Sequence, residues 1–313
     1  MGDILFSILI PTYKSIYLKE AIDSCLNQSI ASFEVVILND SSPEDIDSIV
    51  KSYDDSRIRY FCNDINCGGE RVVDNWNKCL SYAQGEWIIC MGDDDRLRPN
   101  CLEVYSRLIE KHPGFDVFHG RTVLIDDRSN FMEVTALRPE VESVYSLIWH
   151  RWFGNRQQYI GDFLFRRDAL LEKGGFFYLP YAWASDDITA VMMSEKKGIA
   201  NTYEVVFEYR INPFSISNSY NNITKKIEAI TREKEWYQSF LSHPAINEDE
   251  FFRLSITDKI DKHFRKKVGL TISRDIIHNP FRSFYWYFFR RKYKIQVKTV
   301  FYGIFVALSH QTK

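Results

Sequence analysis

The chain has 313 residues, of which 45% are hydrophobic and 26% are charged, and its formal net charge is −2. This composition predicts one or two soluble globular domains with a substantial core, and it excludes a low-complexity protein. The charge is unevenly distributed: residues 262–313 contain 12 Lys or Arg and one acid, whereas the first 261 residues carry a net charge of −13. We therefore expect the basic C-terminal segment to meet an anionic surface.

Cysteine usage and the apolar runs predict a cytoplasmic protein. All six cysteines lie in the first third of the chain without CxxC spacing, which favours buried free thiols in a reducing compartment. The N-terminus has an acid where a signal peptide carries positive charge, and its apolar run stops at Pro11, so we expect no secretion signal. The apolar run over 301–308 is too short to span a bilayer.

Strands and helices are predicted to alternate through the first hundred residues. Apolar runs predict buried strands over 4–10, 34–40, 57–61 and 87–91. Apolar residues at helical spacing predict a helix between each pair of strands, the second one with Ser42 as its N-cap and Pro43 at its first position. This alternation predicts a doubly wound parallel sheet covered by helices. No GxGxxG follows the first strand and no GxxxxGK[ST] occurs, which argues against a dinucleotide fold or a P-loop.

The predicted elements become less regular after Pro99. A helix is expected first, then a strand over 116–125, and then a strand, a short helix and a glycine turn over 163–176. A further helix is expected over 184–198, with an acidic pair at its N-terminus. A strand containing VVFEY and the segment RINPFSISNS follow.

Polar residues follow three of the predicted strands at their carboxyl ends. They are Pro11-Thr12-Tyr13, Asn39-Asp40 and Asp93-Asp94-Asp95. Parallel α/β sheets bind ligands at this edge, so these side chains are candidates for one site. An isolated run of three aspartates is explained well enough by a solvated turn, but carboxylates beside a buried strand are also the ligands that a divalent cation prefers.

Seven segments in this order resemble those of bacterial family 2 glycosyltransferases with the GT-A fold. They are ILIPTYKS, EVVILNDSSPED, NDINCGG, NKCLSYAQGEWIICMGDDDRLRP, FLFRRDALLEKGGF, SDDITAVMMSEKKG and YRINPFSISNS. The resemblance covers about residues 6–219 and implies a doubly wound, mostly parallel α/β sheet flanked by helices. It further implies a nucleotide-sugar-binding half over 1–100, an acceptor-binding half of the same domain over 101–219, and a basic, aromatic C-terminal helical extension over 220–313.

The resemblance assigns a nucleotide pocket to residues that follow the first two strands. Pro11, Thr12, Tyr13 and Asp40 occupy the matching positions, where Asp40 would accept the imide N–H of uracil or thymine and Tyr13 would offer a face to the base. This favours a UDP-sugar. The alternative for Asp40 is an Asx-turn acceptor that opens the next helix. Arg210 would contact the diphosphate, the alternative being a surface arginine at the end of a strand.

The aspartate run occupies the place of the family's metal motif, often written DSDD, with Gly92 where the usual first aspartate stands. The resemblance implies that Asp94 binds Mn²⁺ or Mg²⁺ directly. Asp93 would reach the ribose or metal-bound water. Asp95 would hold the metal-binding residues in position without binding the metal itself. The cation would bridge both phosphates of the donor and neutralise the charge of the leaving nucleoside diphosphate.

The catalytic base of the family is the second acid of a Glu/Asp-Asp pair. This chain matches with Asp187, and Asp186 stands in for the usual glutamate. Asp187 would take the proton of the acceptor hydroxyl in a single displacement, so that the configuration at the anomeric carbon inverts. The alternative is that both acids complement the helix macrodipole. His119 and His150 lack metal-ligand spacing and are interpreted as structural or acceptor-cleft residues.

The segment FRSFYWYFFRRKYK, residues 281–294, mixes aromatic and basic residues. Such segments lie at membrane surfaces, and we expect contact with the inner face of the cell membrane, where a lipid-linked acceptor would lie. The alternative is an ordinary helical pack with buried aromatic side chains and solvated cations. Nucleic acid is not expected as a partner, because no recognisable binding motif accompanies the segment and the body is acidic.

Taken with the resemblance, these features predict a metal-dependent, inverting hexosyl- or N-acetylhexosaminyl-transferase. It would move a sugar from a nucleotide-sugar donor to a glycan or lipid-linked oligosaccharide acceptor in bacterial surface-polysaccharide synthesis. One alternative is a sugar-phosphate nucleotidyltransferase, but such enzymes open with a glycine-rich basic loop where this chain has PTYKS. The other is a non-catalytic glycan-binding protein on the same fold, which should have lost Asp94 or Asp187.

Overall fold

The computed structural model describes residues 5–212, 222–244 and 249–311. The chain divides into two compact units, the first comprising Met1–Tyr178 and Ser185–Asn212 and the second Leu179–Ala184 and Pro213–Lys313. The expected boundary between residues 219 and 220 lies outside the described residues, as does the part of the YRINPFSISNS segment that follows residue 212.

The first unit alternates strands and helices as the apolar pattern predicts. Its strands are β1 (Phe6–Thr12), β2 (Phe33–Asn39), β3 (Ile58–Cys62), β4 (Trp87–Cys90), β5 (Arg96–Leu97), β6 (Val117–Ile125), β7 (Phe131–Val134), β8 (Val141–Glu142), β9 (Phe163–Arg166) and β10 (Ile199–Arg210). Its helices are α1 (Leu18–Leu26), α2 (Ile46–Lys51), α3 (Val72–Ser81), α4 (Cys101–Lys111), α5 (Val144–Phe153), α6 (Arg167–Glu172) and α7 (Ser185–Ser194).

The strands form one sheet that reverses its order beside β1. Eight of them lie in the order β3-β2-β1-β4-β9-β6-β10-β5, with β7 beside β6 and β8 beside β10. The β1 strand pairs in parallel with β2 and β4, β2 with β3, and β6 with β10. Shorter antiparallel pairings involve β5, β7, β8 and β9. Because the longer ladders are parallel, the predicted doubly wound, mostly parallel sheet is confirmed. The order reverses between β1 and β4, where such sheets bind ligands.

Central strands of this sheet are buried on both faces. Every residue of β2 and β4 is buried, and so is all of β1 except Pro11. Strands of this kind read as continuous apolar runs, which explains why the sequence predicts them well. In α1 the buried residues Leu18, Ala21, Ile22 and Cys25 recur at helical spacing and form the face that packs on the core.

The predicted start of the second helix is wrong by three residues. The α2 helix begins at Ile46, and its N-cap is Asp45, whose carboxylate accepts a hydrogen bond from the Ser48 N–H. Ser42 instead donates its hydroxyl proton to the Tyr13 carbonyl, 2.6 Å away. Ser42 therefore stabilises the loop after β1, and Asp45 caps the N-terminus of the helix, where a negative charge is favourable.

The second unit is helical within its described residues. It contains α8 (Ile223–Leu241), α9 (Asp249–His278), α10 (Arg282–Phe289) and α11 (Val297–Gln311), which confirms the predicted C-terminal helical segment. The α9 helix packs against both α8 and α11. Asp275 of α9 anchors α10 by accepting hydrogen bonds from Arg282 at 2.8 Å and from the Trp286 indole at 2.7 Å. Among the described residues, none of the helices has the length and apolar character needed to cross a membrane.

Candidate active site

Asp93 joins the loop after β4 to the loop after β1, directly at the point where the strand order reverses. Its Oδ2 accepts hydrogen bonds from the Thr12 hydroxyl at 3.0 Å and from the backbone N–H groups of Tyr13 and Lys14 at 2.7 and 2.8 Å. Burial nevertheless raises the pKa of Asp93, and these donors oppose the shift. The loop is thereby fixed with the Tyr13 side chain 43% exposed, available to a ligand.

Asp40 connects the loops after β1, β2 and β3. Its backbone N–H donates to the Thr12 carbonyl at 2.9 Å, and its Oδ1 accepts from the Asn63 amide at 2.8 Å and the Cys67 N–H at 2.9 Å. Within the described part of the chain its second oxygen, Oδ2, receives no hydrogen bond, although the residue is only 6% exposed. Protein donors thus orient the Asp40 carboxylate through Oδ1, and Oδ2 can accept a hydrogen bond from a ligand.

The turn after β2, in which Asp40 was the alternative acceptor, is held by the neighbouring Asn39. Asn39 Oδ1 accepts a hydrogen bond from the Ser42 N–H at 2.9 Å, and the Asn39 amide donates to the Tyr60 hydroxyl at 3.0 Å. Asn39 therefore shapes the turn, and Asp40 is not needed for it.

Asp94 and Asp95 follow on the same loop and face different partners. Asp95 is buried and accepts a hydrogen bond from the Arg210 backbone N–H at 2.9 Å, while Asp94 Oδ2 accepts one from the Asn212 amide. Burial, followed by the negative charge of Asp93, raises the pKa of Asp94 to about 6. Burial and the charge of Asp94 raise the pKa of Asp95 well above its usual value. Asp95 is thus a link between loop and sheet.

Gly92 lies close to the carboxylates of the aspartate run. A Cβ atom at this position would lie 2.7 Å from Asp94 Oδ1 and 3.0 Å from an Asp95 carboxylate oxygen, distances shorter than normal contacts. A side chain here would therefore shift the ends of both carboxylates, and the sequence departs at this position from the motif of the family.

The aspartate run fits a divalent cation only in part. Among residues 5–212, 222–244 and 249–311, no three His, Cys, Asp or Glu side chains are grouped so as to hold a metal ion. Asp93 Oδ2 is occupied by three donors and Asp95 Oδ1 by the backbone of β10. Asp94 fits best, because burial and then the charge of Asp93 raise its pKa, and a cation would offset both the lost hydration and the repulsion. The donor set suits a hard cation whose further ligands come from a diphosphate.

Arg210 corrects the sequence-based interpretation, since it neither reaches outward to a diphosphate nor lies on the surface. It is 1% exposed, and its guanidinium lies 4.1 Å from the centre of the Tyr17 ring. Its guanidinium donates to the carbonyls of Asp94 and Asp126, the Ser129 hydroxyl and the Glu20 carboxylate, at 2.8, 3.3, 2.8 and 2.7 Å respectively. With these donors engaged, Arg210 acts as a buried brace for the aspartate loop.

The acidic pair at the start of α7 has unequal surroundings. Asp187 is buried, and its carboxylate accepts two hydrogen bonds from Arg151, at 2.7 and 3.2 Å, and one from the Gln158 amide at 2.7 Å. Asp186 is partly buried. Burial, followed by the charge of Asp187, raises the pKa of Asp186 to about 7. One acid thus accepts hydrogen bonds on both of its carboxylate oxygens, and its neighbour binds a proton near neutral pH.

Tyr209 connects the aspartate run to the acidic pair. Burial raises the pKa of its hydroxyl far above the usual value, and the negative charges of Asp95, Asp94 and Asp186 add to the shift. The ring of Tyr209 stacks on that of Tyr159, and their centroids lie 3.8 Å apart. Tyr209 adjoins Arg210, whose backbone N–H donates to Asp95, and Tyr159 adjoins Gln158, whose amide donates to Asp187.

Sequence reasoning missed Arg151, Asn212 and Tyr209. A signal existed for Arg151, because an arginine within the aromatic helical segment IWHRWF needs a partner if its helix is to pack.

The two histidines that were interpreted as structural or acceptor-cleft residues differ in burial. His119 is buried, 3.5 Å from the Asp162 carboxylate, and burial lowers its pKa, which agrees with a structural role. His150 lies partly buried in α5, and burial lowers its pKa too.

Comparison with known proteins identifies the family. The family model described as glycosyl transferase family 2 matches residues 7–175, more than half of the chain. The chain belongs to this family. A fragment of S. aureus TarS, solved in complex with UDP-GlcNAc, has a similar fold, with a TM-score of 0.61, 16% sequence identity, and coverage of 96% of this chain and 78% of that chain. The predicted GT-A-like fold is therefore confirmed.

Two named relatives in family 2 concern bacterial glycans. WcaA of Escherichia coli K12, named for colanic acid biosynthesis, is 38% identical over 104 residues, which cover 32% of this chain and 36% of WcaA. A Campylobacter jejuni enzyme, GalNAc(5)-diNAcBac-PP-undecaprenol beta-1,3-glucosyltransferase, is 34% identical over 108 residues, which cover 34% of this chain and 33% of that enzyme. The chain thus spans about a third of either relative, and 56% of a Mycobacterium tuberculosis protein that is 29% identical.

Proposed function

We propose that this protein is an inverting glycosyltransferase that moves a hexosyl or N-acetylhexosaminyl group from a UDP-sugar to a hydroxyl of a glycan acceptor. The acceptor would be a growing or lipid-linked glycan in bacterial surface-polysaccharide synthesis. One observation carries the proposal, a chain of contacts that places the aspartate run and the acidic pair in the same part of the first unit. Asp95 accepts from the backbone of Arg210, the neighbouring Tyr209 stacks on Tyr159, and Gln158, next to Tyr159, donates to Asp187. Membership of family 2 supports the reaction class.

The uridine would be bound by the loops that follow β1 and β2. Asp40 is oriented by Asn63 and Cys67 and keeps Oδ2 for the imide N–H of the base. Tyr13, held through its backbone by Asp93, would cover a face of the base. Thr12 and Pro11 end β1 and hold this loop against β2. TarS, a protein of similar fold, was solved in complex with UDP-GlcNAc, which supports a uridine nucleotide as the ligand.

A divalent cation, Mn²⁺ or Mg²⁺, would be held chiefly by Asp94. When bound, it would neutralise the charge of the departing diphosphate. The part played by this chain is to present the Asp94 carboxylate in a fixed orientation, with Asn212 on Oδ2 and Arg210 on its backbone carbonyl. Asp93 remains available to the ribose through its other oxygen, and Asp95 holds the loop to β10.

The acidic pair would accept the proton of the acceptor hydroxyl, with Asp187 as the base that the family assigns. As the acceptor oxygen forms a bond to the anomeric carbon, the bond from that carbon to the diphosphate breaks on the opposite face, and the configuration inverts. Arg151 and Gln158 fix the Asp187 carboxylate, which positions it for the transfer. Because Asp186 and Asp187 interact, their titration belongs to the pair, and it lies where a base must work near neutral pH.

The acceptor would be reached at the inner face of the cell membrane, with the enzyme bound there peripherally. The Campylobacter relative is named for an undecaprenol-linked substrate, which supports a lipid-linked acceptor for this chain. The basic, aromatic C-terminal segment supports the location, because cations and aromatic side chains are favoured at anionic headgroups.

A nucleotide-sugar screen tests the proposal. In the presence of Mn²⁺ we expect UDP-sugars to raise the melting temperature and to be hydrolysed slowly without acceptor, and Asp40→Asn should weaken UDP binding by roughly ten- to a hundredfold. Transfer to a glycan acceptor should invert the anomeric configuration, as read by proton NMR. Stabilisation by a GDP-sugar alone would reject the uridine assignment. Binding without any hydrolysis or transfer would point to a non-catalytic glycan-binding protein.

A further inference from the structure

The last two helices of the second unit carry large apolar side chains on their exposed sides. On α10 and its N-cap they recur three and four residues apart, and on α11 four and three apart, so each set forms one stripe. The residues are Phe281 (80% exposed), Phe284 (62%), Phe288 (69%), Val297 (43%), Phe301 (58%), Phe305 (69%) and Leu308 (58%). The rings of Tyr287 and Phe301 lie 6.3 Å apart and join the two stripes. We call these seven residues the aromatic face.

The aromatic face is not the side by which these helices pack. Trp286 of α10, and Val300 and Ala307 of α11, are almost completely buried. Gly303 also faces the interior, since a Cβ there would lie 3.0 Å from the Gly269 carbonyl of α9. The α11 helix is therefore apolar on its packed side and again on its exposed side. A helix of this kind is normally covered on both sides, and a continuous exposed apolar surface marks a binding surface.

The charged residues of the segment that carries the aromatic face are all positive. After Asp275 the sequence contains seven Lys or Arg and no acid. Four of these cations, Arg291, Lys292, Lys294 and Lys298, are exposed between α10 and the first turn of α11. A second copy docking through the same face would bring these like charges together. An anionic surface with an apolar interior would instead satisfy both the cations and the aromatic rings.

We propose that the aromatic face docks the protein on a membrane surface that contains anionic lipids. The rings would enter the boundary between headgroups and acyl chains, and the four cations would contact lipid phosphates. The α11 helix has 15 residues and rises only about 22 Å, so it would lie in the surface. This inference deepens the proposed peripheral location and relies on the proposed function for the acceptor, but docking can be measured without any transfer assay.

Flotation of the full-length chain with vesicles tests the proposal. We expect the chain to bind vesicles in which about one third of the lipid is phosphatidylglycerol and the rest is phosphatidylcholine. It should bind only weakly to vesicles of phosphatidylcholine alone. The triple variant Phe288→Ser/Phe301→Ser/Phe305→Ser should reduce the bound fraction at least tenfold. Its matched control is Phe131→Ser/Phe251→Ser, which removes phenylalanines that are 68% and 74% exposed outside the face and should bind like the parent.

Charge variants separate the two contributions. Arg291→Gln/Lys292→Gln/Lys298→Gln should lower binding to anionic vesicles and leave a remainder that salt does not remove, because the aromatic contribution is not screened. Lys19→Gln/Lys51→Gln/Lys111→Gln, which removes three exposed cations of the first unit, is the control and should change little.

Several outcomes would overturn the proposal. They are a parent chain that ignores anionic vesicles, a face variant that binds as well as the parent, and concentration-dependent oligomers that the face variant abolishes in the absence of vesicle binding. Circular dichroism and the melting temperature check that each variant is folded. If the triple variant is unfolded, the single variant Phe305→Ser and the charge variant decide the question. Failure of docking would leave UDP binding intact, and failure of UDP binding would leave docking intact, so the two proposals are judged separately.

Discussion

The guanidinium of Arg151 holds the carboxylate of Asp187 in a two-pronged ion pair. Nε lies 2.7 Å from Oδ1, Nη2 lies 3.2 Å from Oδ2, and the carboxylate is buried. The orientation of the proposed base is thus fixed by a residue from another helix, and the planar fork of arginine is needed for it.

Replacement of Arg151 by lysine should test this positioning role. Arg151→Lys keeps the charge but loses the second hydrogen bond, so we expect kcat to fall by roughly tenfold while the KM for the donor stays unchanged. Steady-state kinetics with a fixed acceptor measure both constants. Lys19→Arg, a like-for-like exchange of an exposed cation, is the control. A change in donor KM alone would place Arg151 in donor binding.

The pH dependence of transfer should reflect the acidic pair. Burial together with the charge of Asp187 raises the pKa of Asp186 to about 7. When Asp186 ionises, its negative charge makes the neighbouring Asp187 a stronger proton acceptor, so we expect kcat/KM to rise with pH through about 7 and then level off. Asp186→Asn should remove this inflection, because the charge beside Asp187 no longer changes with pH. A parent profile that is flat across neutrality would contradict the prediction.

Loss of the Asp187 carboxylate should affect chemistry and not donor binding. In Asp187→Asn the amide oxygen can still accept from Gln158, so the fold and the affinity for UDP should be kept. Transfer should fall by roughly two to four orders of magnitude, the usual contribution of a positioned general base. Calorimetry measures UDP binding, and product analysis measures transfer. Near-normal turnover would remove Asp187 from this role.

Asp94 should connect nucleotide affinity to a divalent cation. If Asp94 holds the cation, chelation of Mn²⁺ should weaken UDP binding strongly, and Asp94→Ala should reproduce that loss without further sensitivity to the chelator. Isothermal calorimetry with and without chelator is the measurement. If neither the chelator nor Asp94→Ala changes the affinity for UDP, Asp94 does not hold a cation that the nucleotide needs.

Arg210 should matter to stability first. Arg210→Met would leave the Glu20 carboxylate, the Ser129 hydroxyl and two carbonyl groups without their donor, so we expect the free energy of unfolding to fall by roughly 2 to 4 kcal/mol. Urea denaturation followed by circular dichroism measures this. Arg128→Met, on the exposed loop nearby, should cost little. A variant of normal stability with reduced UDP affinity would restore the diphosphate contact that the sequence suggested.

Local patterns predicted most of the first unit because its central strands are buried on both faces. The apolar runs at β1, β2 and β4 and the helical spacing in α1 are properties of short stretches, and each is read directly. The N-cap of α2 was misplaced because Ser42 and Asp45 are both good caps, and only a tertiary contact decides between them. Ser42 is occupied by the Tyr13 carbonyl, which leaves the helix to Asp45.

The missed part of the site depends on residues that are far apart in the sequence. Arg210 is engaged by Glu20, 190 positions away, and by the Asp94 carbonyl, 116 positions away. Asp187 meets Arg151 across 36 residues. Motif spacing contains no information on such pairs, so Arg210 was assigned to a ligand when its donors are used within the protein. The closeness of Gly92 to the Asp94 and Asp95 carboxylates likewise appears only when those side chains are placed.

The three hydrogen bonds that Asp93 accepts from the loop after β1 have a thermodynamic consequence. The same short loop after β4 carries Asp94, so a cation that orders the aspartates also orders the backbone of Tyr13. In the same way, a nucleotide base that stacks on Tyr13 also orders the aspartates. Binding at either place should then lower the entropic cost at the other. Because such cooperativity is reciprocal, the factor by which a cation tightens uridine should equal the factor by which uridine tightens the cation.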